Sequence, residues 1–170
     1  MKIHVGGLSE GIYEYRFDET AAALGLAGEF SDVHVEARLE KRGEEFLLES
    51  GIRTAMQCTC DRCLAEYTEE LEHDYVMHYL YSEADAGRFD PAEVLVLAPG
   101  ASSIDLADDV RQTVLVAVPL KLLCKQTCKG LCPMCGINLN EGSCGCRPEP
   151  PDSRWDALRT FRDRSSGQEF

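Results

Sequence analysis

The 170-residue sequence has no long hydrophobic run. Its longest apolar stretch, Val114 to Leu120, is far shorter than the roughly 18 residues that a membrane-spanning helix needs. The N-terminal residues, MKIHVGGLSEGIYEY, lack both the apolar segment and the small-residue cleavage site of a secretory signal. We therefore expect a soluble, cytoplasmic protein with no membrane partner.

Positive charge is scarce. The sequence contains 17 Lys and Arg residues against 30 Asp and Glu residues, and its formal net charge is −13. Because such a charge repels phosphate groups, the balance disfavours general nucleic-acid binding and favours a partner with a basic surface. The cations are not evenly distributed, however, since residues 111–147 contain five basic residues and one acidic residue.

Recognisable catalytic arrangements are also missing. The sequence has no Gly-rich phosphate-binding loop, and no Ser-His-Asp catalytic triad can be identified in it. The few histidines are scattered through predicted strands without ligand spacing, so we expect them to be solvated strand residues: His4, His34, His73 and His78. The sequence therefore predicts a protein that is not an enzyme and has no small-molecule substrate.

Cysteine, by contrast, is abundant. Six of the nine cysteines lie within residues 124–146. Two pairs have Cys-x-x-Cys spacing, which lets two sulfurs converge on one metal ion, and a Cys-x-Cys pair follows the second. Eight cysteines would supply two tetrahedral sites for structural zinc: Cys60, Cys63, Cys124, Cys128, Cys132, Cys135, Cys144 and Cys146. The ninth, Cys58, is expected to be a small buried hydrophobic residue.

The last four of these cysteines are close enough in sequence to form one site by themselves. Cys60 and Cys63 then need two further ligands, and so do Cys124 and Cys128. A site that joins these two pairs would tie distant parts of the chain together. Structural zinc can contribute on the order of 10 kcal/mol to such a closure.

Thiol chemistry offers two alternatives to zinc. A redox-active Cys-x-x-Cys usually lies at a helix N-terminus in a βαβ setting, and neither pair follows that pattern. A disulfide framework is disfavoured in the reducing cytosol. A thiol-disulfide oxidoreductase, or a zinc-dependent regulator that uses the Cys-x-x-Cys pairs, nevertheless remains the competing functional class.

The region before the main cysteine cluster has the pattern of an antiparallel sheet. Residues 32–40 alternate strictly between apolar and polar side chains, as in a half-buried strand. A turn is expected at Lys41-Arg42-Gly43, and Gly51 should weaken the strand that follows. Tyrosines of the third segment share one face and are expected in the sheet core and rim rather than in a base-stacking platform. The predicted strands are 32–40, 45–58, 67–81 and 94–97.

One principal helix is predicted to begin at Ser102, because Asp105 stands three residues on, as in a capping box. Pro119 should end it. Its buried stripe would consist of Leu106, Val110, Val114 and Ala117.

These elements together predict an α+β fold: a mainly antiparallel β-sheet with one principal helix and a cysteine-rich, zinc-binding C-terminal lobe. Residues 1–120 would form the sheet and helix domain, and residues 121–147 the zinc lobe. Residues 148–170 would form a Pro-rich spacer and a short amphipathic tail containing Trp155.

Several motifs occur in a familiar order. They are a Cys-x-Arg-Cys-Leu turn (60–64), an Ile-Asp-Leu helix start (104–106), the run from Cys128 to Asn140, a Cys-x-Cys pair, and Asp-Ser-Arg-Trp-x-x-Leu (152–158). Together they resemble the YceD family, the large ribosomal RNA subunit accumulation proteins. The resemblance implies a role in producing or stabilising large-subunit ribosomal RNA as an assembly factor, with no known enzymatic activity.

An acidic chain can support ribosomal RNA accumulation in two ways. A basic face near the first cysteine site would contact large-subunit ribosomal RNA or a pre-ribosomal particle. Alternatively, the acidic surface would meet a basic ribosomal protein. The candidate RNA-binding residues are Arg62, Lys121, Lys125 and Lys129.

Overall fold

The computed structural model describes residues 1–147 and Arg154. The chain divides into two compact units, of which the first ends at Cys128 and the second begins at Lys129. The fold is mostly sheet, with one main helix and a C-terminal cysteine-rich region, so the predicted α+β class is confirmed. The predicted boundaries at residues 120 and 147 remain predictions.

The first unit contains seven strands and two α-helices. A short 3-10 helix, Ala21–Leu24, joins the second and third strands. The strands are β1 (Lys2–His4), β2 (Gly11–Glu19), β3 (Val33–Arg42), β4 (Glu45–Thr59), β5 (Glu66–Leu80), β6 (Val94–Val96) and β7 (Ser103–Asp105). The helices are α1 (Glu83–Ala86) and α2 (Ala107–Ala117).

A five-stranded sheet of order β2-β3-β4-β5-β6 forms the body of this unit. The pairs from β2 to β5 are antiparallel, and only β6 runs parallel to its neighbour. All four predicted strand segments are present. Lys41 and Arg42 still belong to β3, so the β3–β4 turn consists of Gly43 and Glu44 and begins two residues later than expected, and β4 continues through Gly51 without interruption.

Alternation of side chains places one face of the sheet in the core. Buried residues recur at every second position of β3 and β4, as the sequence pattern requires. The tyrosines of β5 lie on the same face, where Tyr79 is buried opposite Phe46. Helix α2 covers this face with Val110 and Val114, which join the same core cluster as Leu106.

The predicted start of the main helix is wrong. Ser103–Asp105 form strand β7, which pairs with β1, and α2 begins only at Ala107. No side chain caps the helix at its N-cap residue, Leu106, so the expected capping box is absent. The Asp105 carboxylate instead accepts a hydrogen bond from the backbone N–H of Ala107, at 3.1 Å.

The second unit holds its cysteines in short turns, with one isolated bridge between Leu131 and Asn138. The predicted Pro-rich spacer and the Trp155 tail lie outside the described residues. Within the described part of the chain, no helix is long and apolar enough to cross a membrane.

Candidate metal centres and the neighbouring cations

Four cysteines of the first unit form one cluster, here called the proximal cluster. Its sulfur atoms all lie within 4.8 Å of one another. The Cys60 and Cys128 sulfurs are 3.8 Å apart, and the Cys63 and Cys124 sulfurs 3.6 Å. All four cysteines are free thiols. The cluster thus unites the β4–β5 turn with the segment that follows α2, as the predicted joint site requires.

A tight turn presents the first two of these sulfurs. The N–H of Cys60 donates to the Ala65 carbonyl, and the N–H of Leu64 donates to the Cys60 carbonyl, both at 2.9 Å. The turn requires a left-handed backbone at Leu64, where φ is 59°. Leucine rarely adopts this conformation, because its Cβ crowds the following carbonyl oxygen.

Hydrogen bonds fasten the β4–β5 turn to the segment after α2. The backbone N–H of Asp61 donates to the Leu122 carbonyl, and the Leu122 N–H donates to Asp61 Oδ2, both at 2.8 Å. Arg62 donates to the Cys128 carbonyl at 2.8 Å. These contacts hold the two cysteine pairs face to face through groups other than the thiols themselves.

Apolar packing continues from the proximal cluster into the sheet. Met56, Cys58 and Leu71 form a small buried cluster, against which Leu122 packs. Cys58 is therefore a buried hydrophobic residue in the structure, in agreement with the sequence prediction, and burial raises the pKa of its thiol.

The second unit contains a separate distal cluster: Cys132, Cys135, Cys144 and Cys146. Its sulfur atoms also lie within 4.8 Å of one another. Cys132 is buried, whereas Cys135 and Cys146 are exposed. The structure therefore brings the eight predicted cysteines together as two groups of four, with the membership that the sequence suggested.

The distal turn repeats the hydrogen bonds of the proximal turn. The N–H of Cys132 donates to the Ile137 carbonyl, and the Gly136 N–H donates to the Cys132 carbonyl, both at 2.9 Å. Gly136 has φ 74° and occupies the position of Leu64 in the proximal turn. Glycine adopts this conformation without steric cost.

Asparagine side chains brace the distal cluster. Asn140 Oδ1 accepts a hydrogen bond from the Lys129 N–H at 2.9 Å, and Asn138 Oδ1 accepts one from the Asn140 N–H at 3.0 Å. Asn138 Nδ2 donates to Glu141 at 2.7 Å. The Asn-Leu-Asn motif thus fixes the loop between the two cysteine pairs.

The thiols of each cluster differ in acidity. Backbone N–H groups, first that of Cys124, lower the pKa of Cys60 to about 6. In the distal cluster, the N–H groups of Cys135 and Met134 lower the pKa of Cys132 to about 6. Burial raises the pKa of Cys124 to about 12, and a hydrogen bond with Cys135 raises that of Cys146 to about 12. In each cluster, therefore, one thiol loses its proton more readily than an ordinary cysteine, because its pKa is lowered, while another holds its proton more tightly.

Both clusters can hold a metal ion, and their donor set suits zinc. Tetrahedral zinc with Zn–S bonds of about 2.3 Å separates its sulfur ligands by about 3.8 Å. The proximal sulfur distances, 3.6 and 3.8 Å, are close to that separation. Four cysteines and no histidine or carboxylate make up each set, which is typical of closed structural sites rather than open catalytic ones.

The four candidate RNA-binding cations are exposed. Arg62 lies in the proximal turn, and Lys121 and Lys125 lie in the segment that supplies Cys124. Lys129 begins the second unit. Within the described residues, none of these four side chains forms an ion pair with a carboxylate.

The arginines of the main sheet behave differently, since each one pairs with a carboxylate. Arg16 pairs with Glu36, and Arg53 with Glu72. Arg38 and Arg42 pair with glutamates on β3 and β4. Residues 1–120 contain 24 acidic and nine basic residues, whereas residues 121–147 contain one acidic and four basic residues.

The histidines lie in strands, as predicted, and none belongs to a cysteine cluster. His34 contacts Asp18, and His78 stacks on Phe89 and contacts Glu45. Sequence reasoning missed the hydrogen bonds made by Asp61 and the left-handed residue Leu64. Asp61 carries a partial signal, because a short acidic side chain inside a Cys-x-x-Cys turn can accept backbone hydrogen bonds.

Comparison with known proteins gives a consistent family match. The family model described as "Large ribosomal RNA subunit accumulation protein YceD" matches residues 48–162. That range includes β4 from Leu48 onwards, all of β5 and α2, and both cysteine clusters.

Two curated plant proteins are similar to the chain, and both are named "Large ribosomal RNA subunit accumulation protein YCED homolog 1, chloroplastic". The protein from Arabidopsis thaliana is 30% identical over 80 residues, covering 47% of this chain and 25% of the relative. The protein from Zea mays is 27% identical over 164 residues, covering 75% of this chain and 56% of the relative. The chain thus spans between a quarter and about half of these relatives' lengths. No solved structure matches the chain.

Proposed function

The chain belongs to the YceD family, and on that basis we propose that it supports the accumulation of large-subunit ribosomal RNA as a non-enzymatic assembly factor that contacts the RNA. The observation that carries the RNA contact is the contrast between paired and unpaired cations. Arginines on the sheet pair with neighbouring carboxylates, whereas within the described residues Arg62, Lys121 and Lys125 beside the proximal cluster do not.

Unpaired cations suit a phosphate-binding surface. A lysine or arginine that already pairs with a carboxylate must lose that partner before it binds phosphate, and this cost weakens binding. Free cations instead release counterions from RNA when they bind, which is the main source of affinity in such contacts. We assign this role to Arg62, Lys121 and Lys125 of the first unit and, separately, to Lys129 of the second unit.

We further propose that both cysteine clusters bind structural zinc. Bound zinc would supply a closed tetrahedral link between its four thiolates and no open coordination position. In the first unit the proximal cluster would then fix the segment that carries Lys121 and Lys125 against the sheet. The nine free thiols suit a reducing compartment such as the cytoplasm.

Filter binding of large-subunit RNA fragments over a salt series tests the RNA contact. The test variant carries Lys121→Glu, Lys125→Glu and Lys129→Glu. The control carries Lys2→Glu, Arg16→Glu and Arg53→Glu, which change the net charge equally at exposed strand positions outside both cysteine clusters.

We expect the test variant to lose most of its affinity and to reduce the slope of log K against log salt by about two to three, since each lost phosphate contact removes roughly 0.7–0.9 from that slope. The control should bind RNA nearly as the parent protein does. Equal losses in the two variants, or no binding by the parent at low salt, would reject the proposed surface.

A further inference from the structure

The long strand β5 has an open edge. Strand β6 pairs only with its last residues, His78–Leu80, so the twelve residues before them have a strand on one side only. Within the described residues, no backbone group from any other segment pairs with this edge. A sheet edge of this length is a ready template for an added strand.

The strand register shows which backbone groups are free. Cys60 and Ala65 share a hydrogen bond at the β4–β5 turn, and antiparallel pairs alternate between bonded and non-bonded positions. In β5, the even-numbered residues therefore direct their backbone N–H and C=O groups away from β4. His78 confirms this assignment, because its N–H donates to the Glu93 carbonyl on the β6 side at 2.7 Å. Among the described residues, the free N–H and C=O groups belong to Glu66, Thr68, Glu70, Glu72, Asp74 and Val76.

The side chains along this edge are strongly acidic. Residues 66–77 contain five acidic residues and no lysine or arginine. Four of the five lie on the solvent face, at the positions whose backbone groups are free. Only Glu72 is in an ion pair, with Arg53, among the described residues. The other edge strand, β2, carries Arg16 and lacks this uniform charge.

A groove of about 440 Å³ continues the edge towards β6. Its walls are the edge of β5, the residues before β6 and one side of α2. Three carboxylates line it, those of Asp74, Glu93 and Asp109, and Met77 supplies an apolar surface. Both the edge and the groove therefore combine backbone hydrogen-bonding groups with negative charge.

We propose that the open edge of β5 binds an extended, Lys/Arg-rich protein segment by strand addition. Backbone hydrogen bonds to the even-numbered residues would give affinity, and basic side chains at alternate positions would meet Glu70 and Asp74 on the solvent face. The apolar side chains between them would face Tyr75 and Met77. This surface shares no residue with the proposed RNA-binding cations, and the proposed peptide binding does not depend on RNA contact.

The probe is a blocked nine-residue peptide, Lys-Val-Arg-Thr-Lys-Val-Arg-Thr-Lys, titrated by fluorescence anisotropy at low salt. Two further peptides carry N-methyl groups on the backbone amides of either the basic or the intervening residues. A strand that pairs with β5 directs only every second backbone amide towards it, and N-methylation removes the N–H donor of such an amide. At least one of the two methylated peptides should therefore lose binding, although its charge is unchanged. Full binding by both would overturn the proposal, because it would show attraction by charge alone.

Protein variants locate the site. Glu70→Gln with Asp74→Asn should weaken peptide binding about tenfold, as expected for two partly exposed ion pairs. Glu14→Gln with Glu44→Gln removes the same charge at exposed positions elsewhere and should change affinity less than about twofold. Equal effects of the two pairs of substitutions would contradict the assignment of the site to β5.

Amide exchange and RNA titration complete the test. Peptide binding should slow hydrogen exchange at Glu66, Thr68, Glu70, Glu72 and Asp74, and unchanged exchange there would overturn strand addition. The Glu70→Gln, Asp74→Asn variant should still bind large-subunit RNA fragments as the parent does. A negative result in the peptide titration therefore does not bear on the proposed RNA contact, and a negative result in the RNA titration does not bear on the proposed peptide site.

Discussion

The proximal and distal clusters use the same turn in different surroundings. In both turns the N–H of the first cysteine donates to the carbonyl five residues later, and the carbonyl of that cysteine accepts from the N–H four residues later. The proximal cluster, however, has three buried cysteines, one of which is Cys60, and it borders the hydrophobic residues of β4 and β5. The distal cluster has one buried cysteine and is braced mainly by asparagine side chains.

This difference indicates different structural roles. The two cysteine pairs of the proximal cluster are 61 to 68 residues apart in sequence. A metal there therefore closes a long loop that contains every element from β5 to α2. All distal cysteines lie within residues 132–146, and a metal there orders only a short segment. Closing a longer loop removes more freedom from the unfolded chain, so the proximal metal should matter more for stability.

The largest expected effect is the difference in unfolding stability between the Cys63→Ser and Cys144→Ser variants. Cys63→Ser should destabilise the main sheet by about 3 kcal/mol or more, since a weakened zinc site loses part of a binding energy on the order of 10 kcal/mol. The midpoint of thermal unfolding should fall by roughly 10 °C. Cys144→Ser should leave that midpoint nearly unchanged. Circular dichroism of the strand signal, with zinc content by mass spectrometry, measures both.

Cys58→Ser is the control for this comparison, because Cys58 is buried near the same turn and belongs to neither cluster. It should retain two zinc ions per chain. Similar global unfolding in the Cys63 and Cys144 variants would contradict the separate roles. A well-folded, metal-free parent protein whose thiols cycle with a reductant would instead favour a thiol oxidoreductase.

Exposure of the sulfurs predicts the order of metal release. A chelator or a thiol-alkylating reagent should reach Cys135 and Cys146 before the buried Cys60 and Cys128. Zinc should therefore leave in two phases of similar amplitude, with the first phase matched by alkylation of the distal cysteines. Peptide mass spectrometry at each time point assigns the labelled thiols. A single phase of zinc release, with all eight cysteines labelled at the same rate, would contradict the predicted difference between the clusters.

The sequence predicted the parts of the fold that are governed by local pattern. Alternation located β3, and Cys-x-x-Cys spacing located the turns of both clusters. The start of α2 was mispredicted because Ser103 pairs with β1, and long-range strand pairing overrides a local capping signal. Strand β2 was missed although Tyr13, Tyr15 and Phe17 alternate, so its period of two was a usable signal. The left-handed backbone of Leu64 has no such signal.

Asp61 offers a smaller test of what holds the proximal cluster together. Asp61→Ala removes the acceptor of the Leu122 N–H, and we expect a loss of about 2 kcal/mol, typical of a hydrogen bond to a charged group. Asp61→Asn keeps an acceptor oxygen at the same place and should lose less. Both variants should release proximal zinc faster than the parent while distal release is unchanged. Equal acceleration at both clusters would show that Asp61 acts through overall stability.

The smallest expected effects come from the residue that differs between the two turns. Gly136→Ala forces a Cβ into a left-handed position at φ 74°, and we expect it to weaken distal zinc binding by about 1–2 kcal/mol. Leu64→Gly removes the same strain from the proximal turn. Its gain should be smaller, below about 1 kcal/mol, because glycine also gives the unfolded chain more freedom. Competition with a zinc indicator measures both changes, each against the other cluster as an internal reference. If Leu64→Gly weakened proximal binding instead, the exposed leucine side chain would have to contribute more to the turn than its backbone strain costs.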